Sequence, residues 1–112
     1  MTRSRQLAVR NDDAMTYVAG ANVSRYQGGD YEGIARNAYG ILGSASLLVE
    51  LSDLPPSQVE FQIRTAFVSM IATAQGAADR SLWRADPGRA DDVPERGPAL
   101  PGRRSLEAAD AA

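Results

Sequence analysis

At 112 residues, with 44% apolar composition, the chain has material for one small domain and not for two. Its 12 basic residues stand against 14 acidic ones, a formal charge of -2, so no global field marks nucleic acid or an anionic membrane as a partner. Cysteine and histidine are both absent, which excludes a disulfide framework, a thiol nucleophile, imidazole catalysis and a zinc site built from the ligands that ion prefers.

Residues 1–13 are polar and aperiodic and are expected to form a flexible N-terminus. The arginines there are not followed by an apolar stretch of signal-peptide length, and nothing approaches the roughly 20 apolar residues of a membrane span. Taken as written, the chain is expected to be soluble and cytoplasmic. The short apolar group from Met15 to Val18 is a candidate strand, and the glycines, Asn22, Ser24 and Gln27 that follow up to Gly29 read as a long loop.

Asp30 is placed to cap a helix whose apolar positions, Tyr31, Ile34, Ala35, Ala38 and Tyr39, share one face, with Gly40 as its terminator. After a turn at Gly43 and Ser44, the run Leu47-Leu48-Val49 has no polar alternation, as expected of a strand covered on both faces, and Glu50 ends it. Pro55 and Pro56 then stop the strand. Ser57-Gln-Val-Glu60 matches a capping box in which serine and glutamate satisfy each other's orphan backbone donors. Val59, Ile63, Phe67, Met70, Ile71, Ala74 and Ala78 recur at helical spacing beyond it, giving a helix over 57–79 with one apolar face. Past Trp83, four prolines and alternating charges leave no periodicity, so 85–112 is expected to be a disordered tail around a structured unit at 14–84. A helix-strand-helix unit cannot bury both faces of its own strand, so the order of elements reads as the edge of a larger α/β domain.

The stretch from Ser24 to Glu50, and above all Ala-Tyr-Gly-Ile-Leu-Gly-Ser-Ala-Ser-Leu-Leu-Val-Glu at 38–50, resembles the final catalytic segment of the carboxypeptidase A-like zinc metallocarboxypeptidases. The similar region covers roughly 17–79. The resemblance implies an α/β fold, the C-terminal helix-strand-helix portion of a mixed-sheet domain, in an enzyme that hydrolyses C-terminal peptide bonds. It implies that Glu50 is the general base, taking a proton from zinc-bound water, and a carboxylate at the end of a buried strand is partly desolvated, which suits that role. It implies that Tyr26 closes over the peptide substrate, with Tyr31 and Tyr39 as competitors that sit on the apolar helical face. Arg25, and beside it Arg36, carries a guanidinium fork able to bind a peptide carboxylate, whereas the family's own carboxylate-binding residues lie upstream of this sequence, and Asn37 is read as local hydrogen bonding. The family's zinc comes with an early His-x-x-Glu pair and a later histidine, none of which exists here. No zinc is therefore bindable by this chain alone, which is expected to be inactive unless a complementing N-terminal carboxypeptidase chain supplies the site.

A second reading, from a different class, treats the chain as a small non-enzymatic interaction module that docks through the apolar face of the 57–79 helix onto a partner or onto its own copy. The carboxypeptidase reading expects poor folding and an exposed sheet edge; the module expects a discrete oligomer. Nucleic acid is not expected, because the tail arginines are interleaved with acids and lack a stacking pattern.

Overall fold

The computed structural model describes residues 2–25, 33 and 35–96. They form three α-helices, α1 (Thr2–Met15), α2 (Ala35–Ile41) and α3 (Val59–Ala78), joined and followed by 3-10 turns at Pro56–Gln58, Ser81–Arg84 and Pro87–Asp92.

The expected α/β mixed-sheet unit is not what the chain builds. Among the described residues there is no strand, only an isolated parallel bridge between Arg25 and Glu95. The candidate strand near Met15 is the end of α1 and the turn after it. Leu47, Leu48 and Val49 run without regular structure and are exposed; among the described residues no strand pairs with them, and a lone strand has nothing to bury its faces against. The carboxypeptidase-like domain architecture falls with that strand.

The N-terminal segment read as aperiodic is a helix with a core face. Leu7, Val9, Ala14 and Met15 of α1 are buried, and Val9 is 1% exposed. Two polar residues, Gln6 and Asn11, are buried beside them. Each has partners, as burial of an amide requires. Gln6 donates to the carbonyls of Trp83 (2.9 Å) and Ala85 (3.1 Å). Asn11 donates to the Leu7 carbonyl (3.0 Å) and to Thr73 Oγ1 (3.3 Å), and accepts from the Ser69 hydroxyl. Arg10 donates through Nε to the Ala72 carbonyl at 2.9 Å. These bonds tie α1 to α3 and to the turn after it along one line.

The part of the expected tail that is described, up to Arg96, is folded. Asp86 N-caps the turn Pro87–Asp92 by accepting from the Gly88 amide at 2.9 Å, and Pro87 sits where a missing N–H costs nothing. Ala90 and Val93 are buried. Arg5 reaches the Pro87 carbonyl (3.0 Å) and Asp91 (2.7 Å), which holds the Asp91 carboxyl below its ordinary range through the hydrogen bond and charge of Arg5. Arg89 grips Asp13 with a two-pronged fork at 2.6 and 3.1 Å. Arg3 lies over the Trp83 ring, 5.0 Å from its centroid. Alternating charge, read as a sign of disorder, here matches charges of both signs on α1, Arg5 and Asp13.

Helix ends differ from expectation in two places. α2 runs through Gly40, which is buried, to Ile41, and closes in a Schellman motif: Gly43 takes φ +90, its amide bonds Gly40 and that of Ser44 bonds Tyr39. Asp30 and Tyr31 lie outside the described residues. The Ser57–Glu60 capping box does not form; α3 starts at Val59 with Gln58 at its N-cap and no side-chain cap bond, since the Pro56–Gln58 turn supplies the entry. The helix otherwise occupies the span the periodicity gave it, and ends at Asp79 before Arg80 in the left-handed region at φ 62.

Asn11→Ala is expected to destabilise the chain by about 1–3 kcal/mol, because it empties a buried position of α1 and strips partners from Ser69 and Thr73, which are half-buried. Urea unfolding followed by helical circular dichroism measures it, and an unchanged midpoint would contradict the anchoring role given to Asn11.

Candidate interaction face on helix α3

α3 is a helix with two apolar faces of unequal size. Toward α1 it turns Val68, Ala72 and Gly76, with Ala72 and Gly76 buried. Small residues there let α1 come close: a Cβ built on Gly76 would stand 3.1 Å from Arg10 Nε and 3.3 Å from Leu82 Cβ. The core beneath is correspondingly thin, with Ala14, Met15 and Ala72 at its centre and Ala21, Val23 and Val68 against them.

The large side chains are on the other side. Ile63 is 62% exposed, Phe67 60% and Met70 68%, with Val59 and Ile71 also exposed. The apolar face that the sequence periodicity identified over 57–79 is therefore the outward one. It carries no charge from Thr65 to Ala78. The hydrogen bonds of Ser69, Thr73 and the Ala72 carbonyl to α1 fix this rotation, since turning Phe67 and Met70 inward would unpair them.

The five side chains present on the order of 500 Å² of apolar surface, at the upper end of what a monomer ordinarily leaves in one patch. The patch continues into a groove of about 720 Å³ between the end of α1 and α3. Phe67, Ile71 and Tyr17 form its apolar walls; Arg10, Asp13 and Gln75 are its polar ones. Tyr17, 87% exposed, stands at its edge. A second exposed apolar strip, Leu47, Leu48, Val49 and Leu51, lies on the irregular connection between α2 and α3.

The residues singled out by resemblance are dispersed in this architecture. Glu50 is exposed on that same connection, which forms no strand among the described residues. Arg25 is engaged with the C-terminal segment: its Nε donates to the Val93 carbonyl at 3.0 Å, its amide to Pro94 at 2.9 Å, and its guanidinium stands 4.0 Å from Glu95. Tyr26 and Tyr31 lie outside the described residues, as does the Arg36 side chain. Tyr39, on α2, is exposed. No group of three or more acidic side chains among the described residues is placed to hold a metal, and no described helix is long and apolar enough to cross a membrane. Comparison with protein-family models, with curated proteins and with solved structures returned no match.

What the sequence reading missed is the set that orients α3: Arg10, Asn11, Ser69 and Thr73. Their signal is spacing, because Leu7, Asn11, Ala14, Met15 and Val18 fall on one helical stripe once Asn11 is counted with the core.

The two faces differ in what truncation costs. Leu82→Ala, at a site 2% exposed and packed against Gly76, is expected to cost about 2–5 kcal/mol. Met70→Ala is expected to stay within about 0.5 kcal/mol. Thermal unfolding of the two variants in dilute solution checks this, and a larger loss at Met70 than at Leu82 would contradict the assignment of faces.

Proposed function

We propose that the chain is a small non-enzymatic interaction module that presents the outer face of α3 as a docking surface for an apolar helical face. The observation that carries the reading is the mismatch between the small residues α3 spends on its own core and the large ones, Ile63, Phe67 and Met70, that it leaves in solvent. A folded chain stabilised by few buried apolar residues gains nothing from exposing this set unless another surface covers it, and a helix laid along such a face buries anchors at the spacing of one helical stripe. The neighbouring groove, with a polar rim of Arg10, Asp13 and Gln75, gives the contact an edge that supplies register while the apolar centre supplies affinity.

The test is site-specific photocrosslinking in the cells that make the protein, with the photoreactive residue at Phe67 and, as control, at Arg84 on the turn after α3. Docking through α3 gives a discrete adduct from Phe67 that Met70→Glu removes, and no such adduct from Arg84. Absence of any adduct at Phe67, or equal labelling from both positions, overturns the reading.

A further inference from the structure

Resting on that reading, we infer that the occupant of the α3 face is a second copy of this chain, packed antiparallel along α3 about a two-fold axis between Phe67 and Met70. Three features of the face lead there.

The first is spacing. Ile63, Phe67, Met70, Ala74 and Ala77 follow one another at intervals of four, three, four and three, the seam of a two-helix coiled contact rather than a scattered patch. All five lie on the outward side of the 20-residue helix, about 30 Å long.

The second is volume. The seam is bulky in its first half, at Ile63 and Phe67, and small in its second, at Ala74 and Ala77. Antiparallel pairing seats Ile63 on the partner's Ala74 and Phe67 on the partner's Met70, so large meets small or medium at these four positions, and Ala77 faces the partner's Glu60. Parallel pairing stacks Ile63 and Phe67 on themselves at one end and leaves a void between alanines at the other, which close packing disfavours.

The third is charge. Glu60 and Arg64 lie in the first turns of α3, and Asp79 and Arg80 follow its last residue, Ala78. Antiparallel pairing carries Glu60 away from its own copy, to the end where the partner's Asp79 and Arg80 stand side by side, and separates the two copies of Arg64. Parallel pairing sets Glu60 on Glu60 and Arg64 on Arg64, a like-charge cost at both positions. A symmetric contact of this face buries roughly 1,000 Å² or more in total, the lower limit for specific association, so the dimer is reversible and concentration-dependent.

Sedimentation equilibrium of the full chain over a wide concentration range, with cysteine crosslinking, tests the pairing; the chain has no cysteine of its own. Self-pairing gives a monomer-dimer equilibrium ending at twice the 11.9 kDa chain mass. Phe67→Glu weakens it by roughly tenfold or more while helical dichroism is retained. Under mild oxidation an equimolar mixture of Ile63→Cys and Ala74→Cys chains forms a disulfide-linked heterodimer, and Ile63→Cys alone does not. Self-crosslinking of Ile63→Cys chains overturns the antiparallel arrangement, and a chain that stays monomeric at every concentration overturns self-pairing. In the monomeric case, a Phe67 photoadduct with a different protein in cells leaves the docking reading standing without a second copy, whereas no adduct removes both.

Discussion

The fold depends on the close approach of α1 to the small-residue side of α3. Two features make it possible: Ala72 and Gly76 clear the space, and Arg10 and Asn11 fill the polar part of it with bonds to the Ala72 carbonyl, Ser69 and Thr73. The apolar part of this contact is thin, so directional bonds carry an unusual share of its specificity, and a buried amide that is fully partnered fixes one rotation of a helix far better than an apolar contact that can slide. Everything else follows from that rotation. Leu82 seals the far end, the turn at Pro87–Asp92 closes over α1, and the bulky side of α3 is left outward.

The same constraint explains why the C-terminal segment folds as far as Arg96. Its apolar content, essentially Ala90 and Val93, is too small to order it unaided. Polar contacts with α1 make up the difference: Arg5 to Pro87 and Asp91, Asp13 to Arg89, and Gln6 to Trp83 and Ala85. Exposed ion pairs contribute little singly, but a set that shares one surface with buried amide bonds restrains the chain more than the same pairs scattered.

The sequence made α3 legible because a 20-residue apolar periodicity is a strong signal of a helix whichever face it buries. It did not reveal which of two apolar faces would be inside, since period alone cannot distinguish a stripe of large residues from the stripe of small ones opposite. α1 was hidden for a related reason: its core stripe is interrupted by Gln6 and Asn11, which look solvated in sequence and are buried only because Trp83, Ala85, Ser69 and Thr73 meet them from far along the chain. Leu47-Leu48-Val49 misled in the opposite direction. An apolar run signals a buried strand only when partners exist, and among the described residues none pairs with it. Asp86-Pro87-Gly88, by contrast, carried a readable cap and first-turn proline inside a segment whose overall composition spoke for disorder.

The orientation of α3 is tested most directly by thiol accessibility, which the absence of native cysteine makes clean. Single cysteines placed at Val68, Ala72, Phe67 and Met70 would be reacted with a small thiol reagent at a dilution low enough to hold the chain monomeric, and their rates compared with those in denaturant. With α1 seated on the small-residue side, position 72 is strongly protected and 68 partly so, while 67 and 70 react nearly as fast as in the unfolded chain. Protection at 67 and 70 with free reaction at 68 and 72 would mean that α3 packs by its large face, and the docking surface described above would not exist.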